Sequence, residues 1–413
     1  MHANRMDGAA APWWSERTAL QRFVADLVAG ELAALRHDRF LQPDTWTAAL
    51  SLQDELSMDS LEFMQVGAAL ASALQMQHSG VEDYLLARRT LGDWTDIASL
   101  ALQHWSSEIV FSTSGSTGTP RHCGHALGTL EQEAQALAAL LPGRRRLLVA
   151  VPSHHIYGFL FTQLLPRHLG LDPGQVVGIR ARLPSQLARH AEPGDLVIGH
   201  PQFWQAALVP DCAFPPDVAG VTSTAPCPDA VAEAATAAGL STLVQVYGAS
   251  ETGGIGWRAS HRDAYRLLPH VEHAGGALLR TGPDGTVREL LAPDQLTWRG
   301  AREFLPGPRR DGAVQVAGVN VFPERVRQAL LQHPQVADAA VRLMRPDEGK
   351  RLKAFIVPRA DSWDEAALAH ALRAWIGTTL TAPECPKALA FGARLPRNPM
   401  GKLADWSIAE PLE

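Results

Sequence analysis

A chain of 413 residues with 46% hydrophobic and 19% charged residues carries enough apolar material for two or three packed domains, which excludes a disordered majority. Its 37 Lys and Arg against 43 Asp and Glu give a net charge of −6, with the positive charge scattered, so nucleic acid is not an expected partner. The four cysteines (Cys123, Cys212, Cys227 and Cys385) fall at no metal-ligand spacing, and no apolar run is long enough to span a bilayer, so zinc and an integral membrane segment are not expected, and a cytoplasmic protein is.

Residues 1–104 read as helical. Leu20, Phe23, Val24, Leu27 and Val28 recur at helical spacing, and Leu61, Met64, Val66 and Leu70 nearly so. From residue 105 to 310 short apolar runs alternate with turns and helical stretches. Ile109–Phe111, Leu147–Val151, Leu196–Ile198 and Leu243–Val246 read as buried strands, which predicts a large α/β domain. Residues 311–413 predict a small α+β domain. Its expected elements are a strand at Ala313–Val316, a helix from Pro323 to about Gln332, strands at Ala337–Leu343 and Leu352–Val357, and a Pro/Gly-rich tail from Pro396.

Between the strand at Ile109–Phe111 and the helix expected from Leu127 lies Ser112-Thr113-Ser114-Gly115-Ser116-Thr117-Gly118-Thr119-Pro120-Arg121. Small residues let backbone come close to an anion, glycine permits left-handed turns, and hydroxyls and N–H groups supply donors, a combination suited to a polyphosphate. The spacing is not that of a Walker A loop, and Gly248-Ala249-Ser250-Glu251-Thr252 lacks the closing glycine of a nucleophile elbow.

The loop resembles the phosphate-binding signature of the acyl-adenylate-forming superfamily, with Arg121 where that family has lysine. Other stretches resemble the family's remaining motifs in the same order. They are Val151–Phe159, Gln245–Thr252, Asp294 followed by Arg309 and Asp311, Val316–Pro323, and Leu395–Leu403. The family usually carries Thr-Gly-Asp where this chain has Ala292-Pro293-Asp294. The resemblance implies ATP and Mg²⁺ as cofactors. It places Thr113, Ser114, Gly115, Ser116, Thr117, Gly118 and Arg121 on the phosphates, Tyr247, Gly248 and Ser250 on the nucleotide, and Asp294 with Arg309 on the ribose. It implies that Glu251 holds Mg²⁺, that Asp311 is the hinge of a mobile C-terminal domain bringing in Gly318 for the second step, and that Lys402 is the adenylation lysine. His155, Tyr157, Gly158, Ala225 and Gly253 are expected to line the acid pocket, with His155 guarding the substrate.

Asp59-Ser60-Leu61, and Thr90-Leu91-Gly92-Asp93-Trp94 further on, resemble an acyl carrier protein, which implies phosphopantetheine on Ser60. Asp-Ser is also an ordinary helix cap. The expected fold is therefore α/β, with a carrier-like helical domain at 1–104, an adenylation core at 105–310 and a C-terminal domain at 311–413. The expected activity is that of an acid–thiol ligase. It activates a small carboxylic acid, an aromatic resembling the substrates of hydroxybenzoate ligases in aryl-polyene or xanthomonadin-type pigment pathways, with a medium-chain fatty acid as the alternative. The acyl group passes to the phosphopantetheine thiol of an acyl carrier protein, with free CoA as the alternative acceptor. The other reading, suggested by Arg121, Gln315 and the reduced Asp294 triplet, is a non-catalytic nucleotide-binding scaffold.

Overall fold

The computed structural model describes residues 11–36, 42–113, 121–316, 319–345, 347–360, 362–397 and 403–408. The chain packs as two units. The described residues up to 113, with 122–292 and 296–305, form the first, and those at 121, 293–295 and from 306 onward form the second.

The first unit opens with helices α1 (Arg17–Arg36), α2 (Ser60–Ala73), α3 (Tyr84–Ala87) and α4 (Leu91–His104). On α1 the stripe Leu20, Phe23, Val24, Leu27 and Val28 is buried throughout, as its spacing predicts, each side chain contributing roughly 1.5–3 kcal/mol of burial before ordering costs. On α2 the buried face is Phe63, Val66, Gly67, Leu70 and Ala73, while Leu61 and Met64 are 59% and 50% exposed. Val66 and Leu70 of the expected stripe are therefore buried, and Phe63 takes the place of Leu61 and Met64. The start of α2 is fixed locally: Asp59 caps it, accepting from the Glu62 amide at 2.8 Å while Glu62 accepts from the Asp59 amide, and Arg36 clamps Glu62 at 2.6 Å.

Strands β1 (Glu108–Thr113) and β2 (Arg121–Ala126) form a small sheet, followed by α5 (Leu127–Ala139). The loop placed by sequence between a strand and a helix thus runs between two strands. Then come β3 (Arg146–Val149), α6 (Ile156–Phe159), α7 (Leu165–His168), β4 (Val176–Gly178), α8 (Leu187–His190), β5 (Asp195–Gly199), α9 (Pro201–Ala207), β6 (Ala219–Thr222), α10 (Asp229–Ala237) and β7 (Thr242–Ala249). Strands β4, β3, β5, β6 and β7 pair in parallel, and β5 and β6 are buried along their length, because helices cover both faces of a parallel sheet. The sheet continues antiparallel through β8 (Gly253–Arg258) and β9 (Tyr265–Leu267). A separate three-stranded sheet of β10 (Val271–Ala274), β11 (Ala277–Thr281) and β12 (Val287–Leu290) intervenes in the chain before β13 (Asp294–Trp298) and β14 (Glu303–Arg309) complete the large sheet's far edge.

One apolar core runs from Trp13 to Phe304. Phe159 of α6 is its aromatic hub, with ring centroids 4.9 Å from Trp13, 5.8 Å from Phe23 and 5.5 Å from Phe111. The helical segment expected to be a carrier-like domain of its own therefore shares a core with the α/β layer and shows no division at residue 104.

The second unit contains β15 (Val314–Val316), β16 (Val319–Val321), α11 (Pro323–Leu331), β17 (Val336–Leu343), β18 (Leu352–Pro358), α12 (Glu365–Thr379) and β19 (Ala388–Phe391). Strand β18 pairs antiparallel with β17 and parallel with β19, and α11 and α12 bury Val326, Leu330, Leu368, Leu372 and Ile376 in the unit's own core. This is the α+β arrangement the sequence implies, with α12 and β19 added to it.

Candidate active site

In a parallel sheet with helices on both faces, ligands bind beyond the carboxyl ends of the strands. The expected acid-pocket residues His155, Tyr157, Gly158 and Ala225 follow the ends of β3 and β6. Tyr157 is buried and donates its hydroxyl to the Gly199 carbonyl at the end of β5, at 2.9 Å; burial raises its phenol well above the usual value, so it stays neutral. Gly158 tolerates no side chain, since a Cβ there would lie 1.8 Å from the Pro152 carbonyl oxygen. His155 is exposed at the start of α6 with its ring 4.1 Å from that of His154. Burial first, then His155 and Arg180, hold His154 well below the ordinary imidazole value. Half-buried Ala225 follows Thr224, whose φ of +76° is a strained conformation for a β-branched residue, of the kind that concentrates at functional sites.

The segment Tyr247–Gly253 is the tip of the β7–β8 hairpin, where Tyr247 faces Gly256 and Ala249 faces Gly253 across a register shift. Tyr247 packs edge-on to Phe304, at 5.3 Å. Gly248 is forced by the bulge, because a Cβ would fall 2.2 Å from the Gly253 carbonyl oxygen. Gly253, expected against the acid, is buried in a left-handed conformation (φ +69°), and a Cβ there would strike Glu133 and Arg280. Ser250 is half-buried; Glu251 projects from the turn, exposed, with no partner among the described residues. No cluster of three or more His, Cys, Asp or Glu able to hold a metal occurs among the described residues. A single outward carboxylate fits Mg²⁺, which takes one or two protein carboxylates and completes its octahedron with water and substrate phosphates.

In the second unit, Asp294 is half-buried on β13, and its carbonyl accepts from Arg310 at 3.3 Å. Arg309 grips Asp311. Arg121 is exposed at the start of β2. Ser114, Gly115, Ser116, Thr117, Gly118, Gly318 and Lys402 lie outside the described residues, as does the side chain of Thr113. The flanks of two of these segments are described: Ser112 Oγ lies 3.1 Å from His122 Nδ1, and Arg397 bridges Leu403. Ser60 is the exposed first residue of α2, behind its Asp59 cap.

Two networks around these segments had no motif to announce them. Asp26 of α1 accepts from the Ser153 amide and hydroxyl at 2.7 and 2.6 Å and from Arg180 at 2.5 Å, and Arg180 also pairs with Asp44. Glu133 of α5 pairs with Arg280 of β11 beneath the hairpin tip. Their partners are 127 and 147 residues away in sequence, and only a buried charge in a helical stripe, such as Asp26 among apolar neighbours, hints at them.

Residues 50–278 match the family model of the AMP-binding enzyme, and residues 326–402 that of the AMP-binding enzyme C-terminal domain. The first match begins inside the helical segment. The chain is 38% identical over 410 residues to a 4-coumarate–CoA ligase of Cereibacter sphaeroides, covering 95% of this chain and 97% of that protein. It is 39% identical over 386 residues to one of Halorhodospira halophila, covering 92% and 97%. Among solved structures, the o-succinylbenzoate CoA synthetase of Bacillus subtilis superposes with a TM-score of 0.63 at 18% identity, over 96% of this chain and 97% of the other. An amide bond synthetase from Marinactinospora thermotolerans gives 0.61 at 17%, over 95% and 98%. With the sheet, the hairpin tip and the small α+β unit in place, these matches show that the chain belongs to the AMP-binding enzyme family, and that it is an AMP-forming acid–thiol ligase.

Proposed function

We propose that this ligase activates an aromatic acid of the hydroxycinnamate or hydroxybenzoate type and passes the acyl group to the thiol of CoA. The observation that carries the reading is the end-to-end similarity to proteins named 4-coumarate–CoA ligases, at 38% identity over 95% of this chain. Tyr157, buried at the ends of the parallel strands, gives the expected pocket an aromatic wall. CoA is preferred over a carrier protein because Ser60 sits on an ordinary capped helix whose far face is built into the adenylation core.

A carboxylate is a poor electrophile; joining it to AMP with loss of pyrophosphate creates a leaving group that a thiol can displace. Negative charge builds on the α-phosphate and on pyrophosphate during the first step, so charges placed beforehand lower the barrier. In this reading Glu251 holds Mg²⁺, which neutralises phosphate charge when bound. Arg121 and the Ser114–Gly118 loop bind the phosphates, Tyr247 lies against the adenine, Asp294 and Arg309 hold the ribose, and Lys402 faces the reacting carboxylate. Asp311 is the hinge for the second step.

Pyrophosphate exchange with 4-coumarate, 4-hydroxybenzoate and a medium-chain fatty acid, followed by thioester formation with CoA or with a phosphopantetheinylated carrier, tests this reading. The expected result is exchange with an aromatic acid and thioester on CoA. Exchange with the fatty acid alone overturns the acid, and acyl transfer to the carrier alone overturns the acceptor. A gain of phosphopantetheine mass that Ser60→Ala abolishes would restore the carrier role of the helical segment.

A further inference from the structure

We propose that the buried Glu133–Arg280 ion pair is a positioning device that holds the Glu251 turn rigid for its cation; this rests on the reading of Glu251 as the Mg²⁺ carboxylate. The pair is almost fully enclosed, with side-chain exposures of 1% for Glu133 and 5% for Arg280, and its atoms approach to 3.0 Å. Two enclosed charges are an expensive way to fill space, because desolvation offsets most of their attraction. Their remaining hydrogen bonds show where they act.

Glu133 Oε1 accepts from the Gly254 amide at 2.7 Å. Arg280 Nη1 donates to the Thr252 carbonyl at 3.2 Å, and its Nη2 donates to the Thr129 carbonyl at 2.9 Å, tying the turn to α5. On the other flank, His125 Nε2 lies 2.6 Å from the Ser250 carbonyl; that oxygen can only accept, so Nε2 carries the hydrogen. The Ala249 amide donates to Thr252 Oγ1 at 3.1 Å, closing the tip. The backbone before and after Glu251 is thus fixed from α5, β2 and β11, while the Glu251 side chain alone projects without a partner among the described residues. Gly253 completes the arrangement. Its missing Cβ leaves room for both charged groups, which would otherwise sit 2.7 and 2.9 Å from it. A ligand carboxylate held by fixed backbone loses little entropy on binding, and disturbing such supporting groups typically weakens metal affinity about 10–100-fold.

The test measures Mn²⁺ binding by water proton relaxation, with a non-hydrolysable ATP analogue present, in wild type, Glu251→Gln and two further variants. Arg280→Lys keeps the charge opposite Glu133 but cannot reach both carbonyls. The double variant Glu133→Leu with Arg280→Met removes both charges and leaves none unpaired. In whichever of these two gives a cooperative thermal melt, the Mn²⁺ dissociation constant is expected to rise about tenfold or more, with the KM for the acid within about twofold of wild type. If Glu251→Gln weakens Mn²⁺ binding and the folded positioning variants do not, the inference is overturned and Glu251 keeps its role. If Glu251→Gln leaves Mn²⁺ binding unchanged, the metal reading of Glu251 falls and takes the inference with it.

Discussion

Arg309 holds Asp311 through the Nε/Nη2 edge of its guanidinium, Nε to Oδ1 at 2.9 Å and Nη2 to Oδ2 at 2.5 Å, so the arginine expected on the ribose is bound to the residue expected to be the hinge. Arg309, more than any other cause, lowers the Asp311 carboxyl below its usual value, and the Ala313 amide adds to the effect. In the proposed function, nucleotide and hinge therefore compete for one cation. Arg309→Ala is expected to raise the KM for ATP about tenfold or more, the equivalent of a charge-assisted hydrogen bond of about 1.5–3 kcal/mol. Asp311→Ala removes this competitor for the guanidinium, so it should leave that KM unchanged or lower it while slowing thioester formation. Steady-state and single-turnover kinetics of the two half-reactions check both outcomes.

Lys402→Ala is expected to slow adenylate formation by a factor on the order of 10²–10³, the usual effect of removing one preorganised charge from a transition state. Thioester formation from preformed acyl-adenylate should be nearly unaffected. Near-normal pyrophosphate exchange in the variant would remove Lys402 from the chemistry.

Asp26→Asn should cost stability in the range of about 3–5 kcal/mol, because it removes the buried charge opposite Arg180 and keeps one acceptor oxygen where two are used, so either Arg180 or Ser153 is left facing an NH2 group. The side chain of Asp26 is 1% exposed, so water cannot compensate. Chemical denaturation checks the prediction; a change below about 1 kcal/mol, the worth of an exposed pair, would show that the network is loosely held.

His270 gives the pH dependence. Burial, reinforced by Arg280, lowers its imidazole to about 4, against an ordinary value of about 6.5. Below pH 6.5 the unfolded chain therefore takes up a proton that the folded chain refuses. Stability is lost as pH falls from about 6.5 to about 4 and levels off below that, with a total of up to about 3 kcal/mol. His270→Phe should flatten that part of the melting-temperature profile. An unchanged slope in the variant would assign the acid sensitivity to other groups.

Local signals in the sequence were enough for elements whose partners are near or whose pattern is strong. The α1 stripe, the buried strands Leu147–Val149 and Leu196–Ile198, and the Pro323 helix start all follow from periodicity and turn chemistry. Leu61 and Met64 were misplaced because the stripe starts at Phe63, from which Val66, Gly67 and Leu70 follow at helical spacing. Strand β2 escaped notice because Arg121–Ala126 is polar and mostly exposed. For the site, the motif residues at the strand ends were legible, since Gly248 and Gly158 are imposed by backbone contacts that allow no substitute. The supports beneath them were not. Glu133 reads as one more charge on an amphipathic helix until β8 and β11 bring Gly254 and Arg280 to it.

Phe159 stands four positions after His155, and its ring is wedged between Trp13, Phe23 and Phe111. Between α1 and the start of α6 there is accordingly no soft layer: rigid rings meet rigid rings, and Asp26 adds a charged strut to Ser153 from the same helix. A shift of a few tenths of an ångström in the first helix has nowhere to dissipate before it reaches the wall expected to face the acid. In the proposed function, substrate preference then has a second address, some 130 residues upstream of the proposed pocket, where side chains that never touch the acid adjust the frame in which it is recognised.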